Sequence, residues 1–245
     1  DTEDREVAAR VISDYDFLAI PVINEKGKMV GIITVDDIID VLEEEVTEDI
    51  HRMVGSVEVY EDKLIKAGPF KIAKARLPWL LVCMAGDLLS GKVIEYHTGI
   101  LEMVMALTYF IPVIMAMAGN VGTQSSTVTV RGLAIGQLRM EDFGKSVWSE
   151  TKVGFLIGAM TGLLIFVVAY FWQKSYVMGI IIGLSLCITV MLSATVGTLL
   201  PLVFMWLNID PAIAACPFIT TVVDVGSLLV YFSLGILVFT YFGNL

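Results

Sequence analysis

Five stretches of this sequence are apolar over lengths that match the thickness of a bilayer, and that succession fixes the solvent in which the chain folds. They cover residues 77–93, 100–118, 153–172, 177–200 and 217–242. A helix needs about 20 predominantly apolar residues to cross the hydrocarbon of a membrane. Hydrophobic residues make up 56% of the 245 positions, and the mean hydropathy is +0.79. That is the composition of a mainly α-helical membrane protein rather than of a soluble domain. The last stretch carries a single ionisable residue, Asp224. A carboxylate at membrane depth costs roughly 2.5–3.5 kcal/mol on insertion scales, so by default it marks a functional site. The alternative role is a structural hydrogen bond between helices.

Charge divides the chain in two. Residues 1–62 hold 18 acidic and 5 basic residues, a net of -13, and residues 63–245 hold 8 and 11, a net of +3. An acidic head of this kind favours cations and disfavours nucleic acid and anionic lipid. Lys63, Lys66, Lys71, Lys74 and Arg76 precede the first span, and Arg131, Arg139, Lys145 and Lys152 follow the second. The two intervening loops on the other side hold only Lys92 and Lys174. Basic residues collect on the cytoplasmic side, so the expected arrangement has a cytoplasmic N-terminus and an extracytoplasmic C-terminus in the cell membrane. The same basic residues are placed to meet lipid phosphates.

The head, residues 1–50, reads as a small α/β unit. Val7, Ala8, Val11 and Ile12 form an apolar helical stripe. Residues 19–23 and 29–34 form a hairpin around the turn at Asn24 to Lys28. An acidic helix follows from Val35 to Glu45, with Asp36 and Asp37 in its first turn, where the helix dipole favours negative charge. Residues 51–76 connect this head to the membrane part, residues 77–245, and Gly68-Pro69 starts or breaks a helix there.

Within the membrane part, Gly119 to Thr127 is a polar, glycine-rich run that follows directly on the second span. Lipid cannot satisfy such a backbone, so the run lines water or packs inside a bundle, and Asn120 and Gln124 are candidate pore-lining residues. Gly154, Gly158 and Gly162 form a packing face on the third span. Pro201 kinks or ends the fourth span, and Asp87 places a second carboxylate in the first, toward its outer end. Cys83, Cys187 and Cys216 lack disulfide or zinc spacing and read as packed thiols. No nucleophile–base pair or phosphate loop points to an enzyme. The opening Asp-Thr-Glu-Asp-Arg-Glu is not a signal sequence, and the chain reads as part of a longer protein.

Two resemblances add to this reading. The helix–strand–strand–helix order, with Gly31-Ile32-Ile33-Thr34-Val35-Asp36-Asp37 at the end of the second strand, resembles a partial CBS domain. CBS domains work in pairs and often bind adenine nucleotides, which makes Thr34 and Asp37 candidate contacts for ATP. A helix cap is the competing role for the same pair. The whole arrangement is a CBS head, a connecting helix and five spans. It carries Pro-x-x-x-Ala-x-x-Gly-Asn-x-Gly-x-Gln-Ser at residues 112–125, Asp210-Pro211, and Asp-Val-x-x-Leu-x-x-Tyr at residues 224–231. In these features it resembles the MgtE family of magnesium channels.

That resemblance implies a homodimer with its pore on the two-fold axis. Asp224 from each subunit would bind a largely hydrated Mg²⁺, and the carbonyl near Thr220 would help line the path. It also implies that cytosolic Mg²⁺ closes the pore by bridging acidic residues. These would be Glu6, Asp16 and Asp40 in the CBS module, Asp37 toward a further N-terminal domain, Glu45, Glu48 and Asp49 near a plug helix, and Asp210 in the pore domain. The physics is compatible: Mg²⁺ takes oxygen ligands, keeps several waters and needs few carboxylates. Mn²⁺ and other divalent cations could use the same oxygen site. A cation-coupled Mg²⁺ carrier and a non-conducting Mg²⁺ or nucleotide sensor remain as alternatives.

Overall fold

The apolar runs fold as long helices, and in the computed structural model described here the first four helices are longer than their apolar runs while the last matches its run. The structure describes residues 2, 5–53, 68–138, 140–214 and 217–242. In the head, helix α1 (Arg5–Tyr15) is followed by strands β1 (Ala19–Ile23) and β2 (Met29–Thr34) and by helix α2 (Val35–Met53). The strands pair antiparallel, with Ala19 opposite Thr34 and a register irregularity between Val22 and Ile23. Ala9, Ile12 and Ile38 form a small core, while Leu18, Met29, Val30 and Ile32 stay exposed. This is a partial CBS module.

The acidic helix does not stop at Glu45 but runs eight residues further, to Met53. Residues 54–67 lie outside the described part, so the connector expected over residues 51–76 is described only up to Met53 and from Gly68. Pro69 occupies the first turn of α3 (Pro69–Tyr96), where its missing N–H costs nothing. Lys71, Lys74 and Arg76 therefore sit on the same continuous helix as the first apolar run. A short helix α4 (Thr98–Met103) and a 3₁₀ turn (Met105–Phe110) lead into α5 (Ile111–Ala134). Then come α6 (Phe143–Gln173), α7 (Tyr176–Trp206) and α8 (Pro217–Phe242). Five of these helices are long and apolar enough to cross a membrane among the described residues, with the second span counted from Met105 to Ala134.

Two sequence expectations need correcting. The polar run at Gly119–Thr127 does not follow the second span. It is helical and lies inside it, because tertiary packing overrides the weak helix propensity of glycine. Pro201 does not end the fourth span, because α7 continues to Trp206. The proline is buried in the bundle, where neighbouring helices tolerate the freed backbone carbonyl.

Helix α7 is the central strut of the bundle, with most of its span buried. Against α6 it packs backbone to backbone. A Cβ added at Gly158 would stand 2.6 Å from the Cys187 carbonyl oxygen, and one at Gly162 would stand 2.5 Å from that of Gly183. Against α5, a Cβ at Gly197 would stand 2.3 Å from the Gly122 oxygen. Ser193 also donates a hydrogen bond to the Ala118 carbonyl. Such small-residue contacts replace the hydrophobic effect, which gives no drive for association inside lipid. Trp172, at the end of α6, packs edge-on against Phe110 at 5.3 Å and stacks on Tyr109 at 6.4 Å. Gly158→Leu is expected to force α6 and α7 apart and to destabilise the detergent-solubilised protein by roughly 3 kcal/mol or more, read as a lowered thermal midpoint. Gly91→Ala, which meets nothing within 4 Å, is the control and should lose no stability.

Candidate functional site

Asp224 lies in the first third of α8, and its side chain is half-buried. Its position follows from two contacts one turn earlier. A Cβ built on Gly86 of α3 would fall 2.4 Å from the Thr221 side chain, and one on Gly119 of α5 would fall 3.9 Å from that of Thr220. Asp224 is three residues beyond Thr221 and four beyond Thr220, so it stacks over both and faces the space between α3 and α5. Val223, next to it, is fully buried, as is Ile219, and both pack against Gly122 of α5. The Ser227 hydroxyl donates to the Asp224 carbonyl oxygen at 2.8 Å, which leaves the carboxylate unconstrained by that serine.

On α5 the buried residues Val121, Gly122, Ser125 and Ser126 face the bundle, whereas Asn120 and Gln124 are exposed one turn apart. Two amides on the outer face of a span do not suit lipid; they require water or another polypeptide. Gly119 and Gly122 thus face α8, whereas Asn120 and Gln124 lie on the other, exposed side of α5. Among the described residues no three His, Cys, Asp or Glu side chains come together within one chain to hold a metal ion.

A second constellation joins the head to the membrane part. Arg52, near the end of α2, forms ion pairs with both Glu48 and Asp210. Asp210 also accepts a hydrogen bond from the Ala212 N–H at 2.8 Å, which caps the 3₁₀ turn Pro211–Ala214 leading into α8. Beside these charges Met53 packs on buried Val130 and Ala212. Asp210 thus caps the turn before α8 rather than α8 itself. Glu48 and Arg52 are four residues apart on one helix, a spacing visible in the sequence. Arg52 drew no attention there because its link to Asp210 spans 158 positions.

The other acidic candidates are dispersed. Thr34 donates both its hydroxyl, at 2.6 Å, and its N–H, at 3.1 Å, to the Asp37 carboxylate, which closes the start of α2. These bonds, the hydroxyl first, hold the Asp37 carboxyl below its ordinary value. Thr34 and Asp37 thus have a helix-capping role. Asp16 is exposed in the turn after α1, in the left-handed region at φ 53°, which aspartate tolerates better than most residues. Asp40 is exposed on α2. Glu6 lies on α1 and Glu45 and Asp49 on α2, but their side chains fall outside the described part.

Three polar residues of the membrane part stand out only in three dimensions. Glu150 of α6 accepts a hydrogen bond from Ser125 at 3.1 Å. Ser90 of α3 is 3% exposed, and its hydroxyl has no partner. Asp87, four residues after Cys83 on α3, is exposed and lies within electrostatic range of Asp224. Next to it, Gly86 packs against Thr221, which sets Asp87 near the level of the turn that precedes Asp224.

Comparison with known proteins agrees with this architecture. Residues 111–234, about half of the chain, match the MgtE family model, described as a divalent cation transporter, and residues 1–44 match the CBS domain. The magnesium transporter MgtE of Bacillus subtilis is 39% identical over 232 residues, covering 95% of this chain and 51% of that protein. Those of Thermus thermophilus and Enterococcus faecalis are 37% and 38% identical, over 94% and 98% of this chain and 51% and 52% of theirs. The chain thus spans about half the length of the curated relatives it matches. A five-span helical bundle behind a partial CBS module, matched across the polar run of α5 and the Asp224 helix, places this multi-pass membrane protein in the MgtE family of divalent cation transporters.

Proposed function

We infer that this chain forms the conducting part of a magnesium channel that closes when cytosolic Mg²⁺ is high. The observation that carries this reading is the half-buried Asp224 on a membrane-spanning helix, one turn after residues that contact α3 and α5. The relatives are named as magnesium transporters, which supplies the cargo. One carboxylate is a poor site for a divalent ion. Two copies of the chain facing each other across the Asn120 and Gln124 stripes would give two carboxylates and a wet lining, so the working unit is a homodimer. Mg²⁺ dehydrates reluctantly and is held through one or two carboxylates with its waters retained. It would pass Asp224 as a hydrated ion, and Mn²⁺ or other divalent cations of similar hydration would compete for the same oxygens.

The basic start of α3 supports a cytoplasmic head and an extracytoplasmic C-terminus in the cell membrane. In that orientation the Glu48–Arg52–Asp210 bridge is cytosolic. It ties α2 to the turn that leads into the Asp224 helix, so the acidic end of α2 is where Mg²⁺ would act to close the pore. Glu45, Glu48 and Asp49 carry that role with Asp210, while Glu6, Asp16, Asp37 and Asp40 carry the more distant part of it.

Mg²⁺ flux into liposomes tests the pore. Asp224→Ala is expected to lose at least tenfold of the flux, whereas equal conduction by the variant and the parent would overturn the reading. The gate is tested by Glu45→Gln/Glu48→Gln/Asp49→Asn, which should raise the Mg²⁺ needed for half-closure about tenfold; unchanged inhibition would remove α2 from the gate. Arg52→Gln leaves Glu48 and Asp210 facing each other without their cation, and like charges repel. Disulfide formation between cysteines placed at Met53 and Ala212 should then slow several-fold in chelator and recover when Mg²⁺ is added.

A further inference from the structure

We propose that Asp87 of α3 is a second carboxylate of the ion site at Asp224, and that with the buried Ser90 hydroxyl it forms a subsite for the water shell of a divalent cation. The proposal rests on the pore reading above and concerns a residue to which that reading assigns nothing.

The register of α3 against α8 places these groups. Gly86 meets Thr221, His97 stacks on Phe232 at 4.8 Å, and Ile100 of α4 meets Gly235. Each pair is separated by 135 positions, so α3 and α8 run parallel in constant register over four turns. The same offset sets Asp87 level with Val222 and Ser90 level with Val225, which brackets Asp224 between them. Gly86 and Ser90 are the buried residues of α3, one turn apart, and α3 packs chiefly on α8. The Ser90 hydroxyl is therefore directed at the α8 surface beside Asp224, where it is 3% exposed and has no hydrogen-bond partner. A buried hydroxyl left without a partner is uncommon and calls for one.

Asp87 leaves α3 next to Gly86, on the open side of this contact, and its charge reaches that of Asp224. Lys92 is the next cation along α3, and it pairs with Glu95 at 2.6 Å. No ion pair among the described residues neutralises Asp87 or Asp224. Two carboxylates on neighbouring helices inside a bilayer are each costly. They repel one another, and a divalent cation relieves both costs at once. The absence of a Cβ at Gly86 lets Thr221 of α8 approach α3 closely, next to the level at which the two acids and the hydroxyl stand. Their geometry suits a hydrated ion, with one acid taking it or its waters and the second accepting from the same shell. Rings of acidic side chains are the usual device for preferring cations in a pore, and adding charge favours divalent over monovalent ions.

The test uses the protein in liposomes, with Mg²⁺ flux, Na⁺ flux and block by cobalt(III) hexaammine, an inert mimic of the hexahydrated ion. Asp87→Asn is expected to raise the half-saturating Mg²⁺ concentration and the half-blocking cobalt(III) hexaammine concentration about tenfold. It should also raise the ratio of Na⁺ to Mg²⁺ flux. Asp87→Glu should restore all three toward the parent values, which separates a lost charge from a disturbed fold. Ser90→Ala should weaken the block by the hexaammine ion two- to threefold, because only an outer-shell contact is lost. Unchanged half-saturation, block and flux ratio in Asp87→Asn would overturn the proposal while Asp224→Ala still abolishes flux. A conducting Asp224→Ala would instead overturn the pore reading itself.

Discussion

Helices in hydrocarbon gain nothing by hiding leucine from leucine, so this bundle depends on letting backbones touch. Glycine makes that possible along α7. Gly183 and Gly197 bring it against α6 and α5, and Gly158, Gly162 and Gly122 answer from the facing helices. Every one of these positions places a would-be Cβ under 3 Å from a neighbour, so no larger residue fits without separating the helices. The polar contacts that accompany them go to backbone carbonyls, as when Ser193 donates to Ala118 or Tyr231 donates to Leu107 at 2.8 Å. These add direction to packing that is otherwise set by shape.

This framework decides where the carboxylate of α8 can be. Ile219 and Val223 are locked against Gly122, and Tyr231 is buried with its hydroxyl engaged. The rotation of α8 is thereby fixed. Asp224, next to Val223, must then point to the edge of the bundle between α3 and α5 rather than into its core. Burial deep in the core would demand a partner for the charge, whereas full exposure would put the charge in lipid. A position at an edge, facing other polar groups, is the one that an ion or a second subunit can complete.

Much of this was legible in the sequence because hydropathy and charge are local. Five spans, the glycine face of the third, the capping chemistry at Thr34 and Asp37, and the prominence of Asp224 all follow from residues near one another. What was not legible depends on partners far apart in the chain. The polar run from Gly119 to Thr127 looked like the end of a span, since its glycines and amides are poor helix material in lipid. Packing against Gly197, Ser193 and Ile219 makes it helical. Arg52 looked like one charge among many until Asp210, 158 positions away, met it. Ser90 is an unremarkable serine in sequence and becomes conspicuous only once its hydroxyl is found buried without a partner.

The two polar constellations are linked by a single stretch of chain. Asp210 caps the 3₁₀ turn that delivers the backbone to Pro217, and Asp224 follows fourteen residues after Asp210. A force applied by α2 through Arg52 therefore acts on the base of the same helix that carries the membrane carboxylate. Because α8 is held by close contacts on two sides and its rotation is fixed, it cannot bend or turn freely at that base and can shift only as a unit. Such a shift would move Thr220 and Asp224 relative to α5 and to Asp87 on α3. Under the gating proposed above, a small displacement at the charged bridge would change the spacing of the acidic groups, because packed interfaces shift between discrete arrangements rather than flexing continuously.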